Sequence, residues 1–241
     1  MGPVRAELLW QAVQDAVTAV GSAPLAILDL GGGTGSDAVR LAGLGHRVTV
    51  IDSSPDALAS LERRARDAGV DITGVLADAT EDVALDAPVD LVLCHGVLEH
   101  LDDPSAALAR VGEWLDPAGW VSVVVPGRVA AVTARAIAGD FVTAQAIAET
   151  SVGDWDVKAL GPRRYLVGEL EELLGATGLV IDRVAGVRVV SDLVPSSVVD
   201  IEPGAREALF ALDRALAANE AFTEHSGGMW ALARLDWRHT P

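Results

Sequence analysis

The residues most suited to chemistry begin with an acid that directly precedes a glycine-rich segment. Asp29 and Leu30 end a short apolar run, and Gly31, Gly32, Gly33, Thr34 and Gly35 follow it. A stretch with helical periodicity comes next, so the segment predicts a strand, a tight turn and a helix. Glycines let the backbone bend sharply and let a ligand approach without Cβ atoms in the way. The pattern therefore predicts a ligand site here, with Gly31, Gly32, Gly33 and Gly35 as contacts.

Two kinds of nucleotide cofactor compete for this loop. Dinucleotide enzymes use the spacing G-x-G-x-x-G/A, and residues 33–38 fit it. That register starts two residues late after the strand, and Asp29 suits a cationic amino group better than a pyrophosphate. An NAD-dependent oxidoreductase nevertheless stays an alternative, and a non-catalytic cofactor-binding protein is a third hypothesis.

Two further acidic sites follow the next two predicted strands. Asp52 ends the β-branched run 47–51, and a carboxylate at a second strand end accepts hydrogen bonds from ribose hydroxyls in both cofactor classes. The strand over 72–76 leads into Asp78, Ala79, Thr80 and Glu81, a polar loop suited to an adenine edge. Acids and a glycine loop in this order, on three successive strand ends, resemble the class I S-adenosylmethionine-dependent methyltransferases. The resemblance implies S-adenosyl-L-methionine as the cofactor.

A fourth apolar run, over 89–94, leads into a segment rich in polar side chains. It carries His95, Glu99, His100 and Asp102 and resembles the fourth motif of the same superfamily. The resemblance implies that His95 stands beside the sulfonium and the substrate, as both a cofactor contact and a catalytic residue. A metal site is the competing interpretation, but the spacing matches neither His-Glu-x-x-His nor its inverted form, so we predict no metal.

Segments outside the cofactor motifs resemble a narrower family, the bacterial carboxymethoxyuridine tRNA methyltransferases. These segments are Val4-Arg5 with 8–11, 138–141 with Gln145, and 186–189 with Asp192. The resemblance implies that Arg5 reaches the cofactor, that Thr80 and Glu81 lie on its adenine side, and that the acceptor is a carboxylate on a wobble uridine.

A carboxylate acceptor makes modest chemical demands. With a pKa near ~4 it is already ionised at neutral pH, so it needs no general base. The enzyme then has to align oxygen, methyl carbon and sulfur and to exclude water. Arginine suits bidentate binding of a carboxylate. The candidates for acceptor binding are Arg163, Arg164, Tyr165 and Arg188, and we take Tyr165 and Arg188 with His95 as the catalytic set.

The charge of the chain argues against the tRNA that the resemblance suggests. The formal net charge is −17, and Lys158 is the sole lysine. Nucleic-acid binding draws much of its affinity from basic side chains, and the basic run of the family is reduced here to Lys158, Arg163 and Arg164. The acceptor is therefore left open between tRNA and a small molecule.

Composition also indicates where in the cell the protein is expected to work. No apolar run approaches the ~18 residues of a membrane helix, no signal peptide is evident, and Cys94 is the only cysteine. We expect no membrane partner and a cytoplasmic location, while the sequence leaves the oligomeric state unknown.

The elements predict an α/β fold. Strands alternate with helices in the first half, and the strands are continuous apolar runs, as in parallel sheets covered on both faces. We predict a doubly wound, mostly parallel seven-stranded sheet of Rossmann-like type with a helical cap insertion. One domain spans 1–241, divided into an N-terminal helix 3–20, a cofactor-binding half 25–126, a cap over about 128–164 and a substrate-side half 165–236. Single elements expected in it include a helix over 129–149, a turn at 116–119 and a strand over 179–190.

Overall fold

The computed structural model describes residues 3–21 and 24–236. Seven strands form one sheet in the order β3-β2-β1-β4-β5-β7-β6, in which β7 is antiparallel. Strands β1, β2, β3 and β4 pair in parallel. The chain reverses its direction of winding between β1 and β4, where ligands of open α/β sheets bind. The predicted fold class is confirmed.

The strands are β1 Ala26–Leu30, β2 Arg47–Asp52, β3 Ile72–Leu76, β4 Val89–His95, β5 Leu115–Pro126, β6 Leu179–Val187 and β7 Gly228–Leu235. The helices are α1 Pro3–Val20, α2 Ser36–Gly43, α3 Pro55–Ala68, α4 Pro104–Trp114, α5 Arg128–Ile137, α6 Phe141–Glu149, α7 Val157–Leu160, α8 Val167–Ala176, α9 Ser196–Ile201, α10 Ala205–Ala217 and α11 Glu220–Thr223, with a 3₁₀ turn at Leu98–His100. None of the described helices is apolar over a length that would cross a bilayer.

The chain divides into two compact units. The first, the sheet unit, comprises 13–123, 173–182 and the described residues from 232 onward. Helices α3 and α4 begin with a proline behind a capping side chain: Ser54 accepts from the Ala57 N–H at 3.2 Å and Asp103 from the Ala106 N–H at 3.0 Å. Both helices bury an apolar stripe. These caps fix where each helix starts and so set the length of the loop that precedes it.

The second unit, the cap unit, comprises 1–12, 124–172 and 183–231. The helix expected over 129–149 is two helices here, α5 and α6. Gly139 adopts φ 79°, and Asp140 caps α6 by accepting from the Thr143 N–H at 3.2 Å. The chain therefore turns between them, as a glycine followed by an N-cap residue favours.

Two strand boundaries differ from expectation. Strand β5 begins at Leu115, although Asp116 still accepts from the Ala118 N–H at 2.9 Å, the side-chain turn expected there. Strand β6 ends at Val187 because Arg188 has φ 59°, a left-handed conformation that cannot continue a strand. The short helices α9 and α11 had no sequence prediction.

Candidate cofactor site

The glycine loop leaves β1 in a conformation that side chains would obstruct. Gly31, Gly33 and Gly35 have φ of 66°, 58° and 74°. A Cβ on Gly31 would overlap Val97, and one on Gly35 would overlap the Leu61 side chain. The loop is held by the Gly31 N–H, which donates to the Ile51 carbonyl at 2.7 Å. Glycine is therefore required here by both backbone conformation and close packing.

Asp29 lies directly behind this loop and is 7% exposed. Burial first, and then the nearby Asp37 and Asp52, raise its pKa to about 7. A Cβ on Gly32 would overlap the Asp29 carboxylate, so this glycine leaves room for it. A buried carboxylate whose neighbours are also acidic favours a cationic ligand, because a cation would stabilise its charged form.

Asp52 ties the glycine loop to the end of β2. Its Oδ2 accepts from the Gly33 N–H at 2.8 Å, and its Oδ1 accepts from the Ser54 N–H at 2.8 Å. A carboxylate has about four acceptor positions, so two bonds leave capacity for a diol. Asp52 can therefore anchor the loop and accept from ribose hydroxyls at the same time.

The loop after β3 is ordered by its own acid. Asp78 Oδ1 accepts from the Thr80 hydroxyl at 2.7 Å and from the Thr80 N–H at 2.9 Å. These bonds, the hydroxyl first, lower the pKa of Asp78 below its ordinary value. Glu81 is exposed. Asp78 thus stays ionised, and Thr80 fixes it in place.

Two cavities lie on either side of the glycine loop. The first, of about 120 Å³, is lined by Asp29, Gly31, Gly32, Thr34, Ser36, Asp37, Leu93 and His95. The second, of about 170 Å³, is lined by Leu30, Gly31, Ile51, Asp52, Ser53, Ala77, Asp78, Ala79, Gly96, Val97, His100 and Leu101. The first is acidic, and the second combines acids with aliphatic walls. This donor set fits S-adenosylmethionine, because the acids of the first cavity suit a cationic amino group and the lining of the second suits a nucleoside.

His95 is the last residue of β4 and lines the acidic cavity. Its Nε2 lies 2.7 Å from the Ser122 Oγ, and burial lowers the pKa of the ring to about 4. The imidazole is therefore neutral at pH 7 and has no role as a cation. Ser122 was missed from the sequence, although it is the one polar side chain inside the apolar run 120–125.

The two cavities bring together predicted residues at the ends of β1, β2, β3 and β4, whereas Gly33, Gly35, Thr80 and Glu81 line neither of them. The cavities also add Asp37, Val97 and Leu101, which sequence reasoning missed. Arg5 belongs to α1, but its side chain lies outside the described residues. Tyr165 and Arg188 belong to the cap unit. Their catalytic roles stay predictions. Among the described residues no group of three or more His, Cys, Asp or Glu side chains is arranged to hold a metal ion.

Tyr165 is fully buried, and its segment runs beside the end of β5. Its N–H donates to the Pro126 carbonyl at 3.0 Å, and its carbonyl accepts from the Arg128 N–H at 2.9 Å. Arg188 donates to Asp192 Oδ2 at 2.9 Å and to the Gly227 carbonyl at 3.0 Å. Both residues are thus engaged within their own unit.

Comparison with known proteins agrees with this geometry. Residues 27–119 match the family described as a methyltransferase domain. The chain is 34% identical over 148 residues to the tRNA 5-carboxymethoxyuridine methyltransferase of Escherichia coli K12, covering 60% of this chain and 57% of that protein. It is 31% identical over 166 residues to the ubiquinone biosynthesis O-methyltransferase of Caulobacter vibrioides, covering 67% and 65%. The chain thus spans less than two thirds of the length of these relatives.

Solved structures extend the likeness over nearly the whole chain. The [4+2]-cyclase SpnF matches with a TM-score of 0.65 at 21% identity, covering 93% of this chain and 80% of that one. The magnesium protoporphyrin IX methyltransferase of Synechocystis PCC 6803, solved with bound S-adenosylhomocysteine, matches with a TM-score of 0.63 at 16% identity, covering 97% and 86%. Identities this low show the fold alone. The chain therefore has the fold of the class I S-adenosylmethionine-dependent methyltransferases, and its residues 27–119 match the methyltransferase-domain family.

Proposed function

We propose that this protein transfers a methyl group from S-adenosylmethionine to an oxygen of an ionised carboxylate. One observation carries the proposal: the acidic cavity beside the glycine loop contains a neutral imidazole and no cationic side chain among its lining residues. Such a site accepts the cationic end of the cofactor. With that end bound, the positive sulfonium of the cofactor, rather than a side chain, would offset the charge of an acceptor that arrives already deprotonated.

The residues of the sheet unit bind and orient in this scheme. Asp29 would pair with the cofactor's ammonium group, Asp52 would accept from the ribose hydroxyls, and the loop at Asp78 would meet the adenine. Bound S-adenosylmethionine supplies a methyl group on a sulfonium, which is electrophilic. His95 lines the cavity where the acceptor would approach. Holding the reactants in line, with water excluded, is the main catalytic contribution expected of this chain.

The carboxylate is preferred because of the relatives as well as the site. A carboxylate needs no base, and the neutral ring of His95 is the only imidazole lining the acidic cavity. The Escherichia coli relative is named for 5-carboxymethoxyuridine, whose substituent is a carboxylic acid. We extend to this chain the acceptor chemistry of that relative and leave open whether the carboxylate is carried by tRNA or by a small molecule.

A hydroxyl acceptor is the second candidate. It is supported by the ubiquinone biosynthesis O-methyltransferase of Caulobacter vibrioides, which matches over a longer stretch of this chain. A hydroxyl has to lose its proton during transfer, and His95 is then the available base, because a neutral imidazole has a lone pair.

The test uses the protein with labelled S-adenosylmethionine and a cell extract separated into RNA and small molecules. Label that mild base releases supports a methyl ester, and label that resists base indicates an ether from a hydroxyl acceptor. Label in RNA assigns tRNA, and label only among small molecules removes it. Absence of transfer to any fraction, despite binding of S-adenosylhomocysteine, would contradict the proposal and favour a non-catalytic or cyclase-like role on the same fold.

A further inference from the structure

Ser122 is a polar side chain where the surrounding sequence is apolar. It lies inside β5 in the run Trp120–Val125, and its side chain is fully buried. A buried hydroxyl costs free energy unless it is hydrogen-bonded. Its Oγ lies 2.7 Å from His95 Nε2, so the imidazole satisfies at least part of that requirement. The free-energy cost of burying the Ser122 hydroxyl is therefore lower than its burial alone suggests. Its partner, His95, is a residue of the candidate site.

The direction of this hydrogen bond decides the state of the ring. A neutral imidazole carries one proton, so one nitrogen donates and the other accepts. A separation of 2.7 Å is compatible with either direction, because N–H···O bonds span ~2.7–3.2 Å. If the hydroxyl donates to Nε2, the one proton of the neutral ring lies on Nδ1.

We propose that Ser122 is a positioning residue that donates to His95 Nε2, places the ring proton on Nδ1, and thereby selects an ionised carboxylate as the methyl acceptor. The inference rests on the proposed function and adds the group that sets the acceptor class. Because His95 makes no other side-chain hydrogen bond among the described residues, Nδ1 is left for the cavity that the ring lines.

The acceptor class follows from what Nδ1 presents. An N–H on Nδ1 donates to a carboxylate oxygen and holds the group, while the ionised oxygen attacks the methyl carbon without losing a proton. A lone pair on Nδ1 would repel a carboxylate and would instead accept the proton of a hydroxyl. The burial that lowers the pKa of the ring to about 4 keeps it neutral, so the tautomer alone distinguishes these cases. Ser122 thus controls specificity through His95, without touching the acceptor.

Side-chain NMR of histidine measures the tautomer directly. We would record ¹⁵N and ¹³C spectra of the histidine-labelled full chain with S-adenosylhomocysteine, and assign His95 from the His95→Asn spectrum. The expected result is a protonated Nδ1 and an unprotonated Nε2. A protonated Nε2 with a bare Nδ1 would overturn the proposal.

Serine variants test whether Ser122 sets that state. Ser122→Ala should remove the preference for the Nδ1–H tautomer and raise the KM for the acceptor about twofold, because only about half of the rings then carry the competent tautomer, while S-adenosylhomocysteine affinity is unchanged. Ser226→Ala is the matched control, since that serine is also fully buried but donates to the Phe222 carbonyl at 2.9 Å. A tautomer identical in wild type and Ser122→Ala would contradict the role.

Two histidine replacements provide a test that does not depend on the serine variant folding. The amide nitrogen of asparagine occupies nearly the place of Nδ1, and that of glutamine nearly the place of Nε2. His95→Asn should therefore retain about tenfold more methyl transfer than His95→Gln. The reverse order would show that the contact through Nε2 matters and would overturn the proposal.

A matched pair of small probes separates the two acceptor classes. Phenoxyacetate carries a carboxylate, and phenoxyethanol carries a hydroxyl on the same frame. In the complex with S-adenosylhomocysteine, phenoxyacetate should move the Nδ1 resonance of His95 downfield, and phenoxyethanol should not. A response to phenoxyethanol alone would refute the inference even if methyl transfer is confirmed. Absence of methyl transfer to any extract fraction would instead refute the proposed function.

Discussion

Asp29 of the sheet unit and the arginines of the cap unit differ in what the protein gains from their charge. Ionising Asp29 is unfavourable in the folded chain, because it is buried beside other acids. Arg128, in contrast, lies 2.8 Å from Glu169 Oε2 and stacks over Trp155 at 5.5 Å, and Arg188 pairs with Asp192. Charges that cost stability are typical of binding sites, whereas charges already neutralised support the fold. The comparison supports the proposal that the ligand binds at the glycine loop.

The largest expected effect concerns Asp52, which holds the glycine loop through Gly33 and is the proposed acceptor for the ribose hydroxyls of the cofactor. Asp52→Ala removes the hydrogen bonds from the Gly33 and Ser54 N–H groups and the acceptor proposed for the ribose hydroxyls, and bonds to charged groups are worth ~1.5–3 kcal/mol each. We expect the affinity for S-adenosylhomocysteine to fall by about 100-fold or more, measured by calorimetry. Asp56→Ala is the control, because that acid is exposed on the next helix. Equal affinity of Asp52→Ala and Asp56→Ala for S-adenosylhomocysteine would contradict a role of Asp52 in cofactor binding.

Asp29 provides the second test, through pH. Its folded pKa of about 7 exceeds the ordinary carboxyl value of 3.8, so the native state binds a proton that the unfolded chain releases between about pH 4 and 7. The free energy of unfolding should therefore fall as pH rises through this window, by up to about 4 kcal/mol at 1.36 kcal/mol per pKa unit. Asp29→Asn should abolish this slope and raise the stability above pH 7.

The same substitution should weaken the cofactor complex. Denaturant unfolding at pH 5 and pH 8 measures the stability, and calorimetry with S-adenosylhomocysteine measures the binding. In the wild-type chain binding should strengthen from pH 6 to pH 8 as the carboxylate ionises. If Asp29→Asn is no more stable than the wild-type chain at pH 8 and still binds S-adenosylhomocysteine normally, the carboxylate has no role in cofactor binding.

The smallest expected effect concerns Arg188, and it tests whether an arginine of the cap unit stabilises the fold. Arg188→Ala removes its bonds to Asp192 and to the Gly227 carbonyl, so the unfolding free energy should drop by about 1–3 kcal/mol. A double-mutant cycle with Asp192→Ala isolates the pair. Unchanged stability with lost methyl transfer would reverse the interpretation and support the catalytic role predicted from the sequence.

The acids at the strand ends could be predicted because their positions follow from local rules. Asp29 and Asp52 each end an apolar run, and in a parallel sheet such ends meet at one edge. The break between α5 and α6 was also visible, since Gly139 and Asp140 form a helix stop and a new cap. Our expectation of one helix overlooked that signal because the alanine-rich periodicity continues across it.

Ser122 and the partners of the arginines could not be predicted in the same way. The contact between Ser122 and His95 joins β5 to β4, and which side chains meet across two strands depends on register rather than on residue type. Arg128 and Glu169 lie 41 positions apart, and only the folded cap unit pairs them. Sequence therefore predicted the clustering of the strand-end acids better than the contacts of Ser122 and of the arginines.

Calorimetric titration with S-adenosylhomocysteine, run in parallel with NADH, tests the central claim most directly. The acidic cavity predicts that S-adenosylhomocysteine binds and that NADH does not, because Asp29 and Asp37 line the cavity beside the loop and would repel a pyrophosphate. Binding of NADH without binding of S-adenosylhomocysteine would contradict the account.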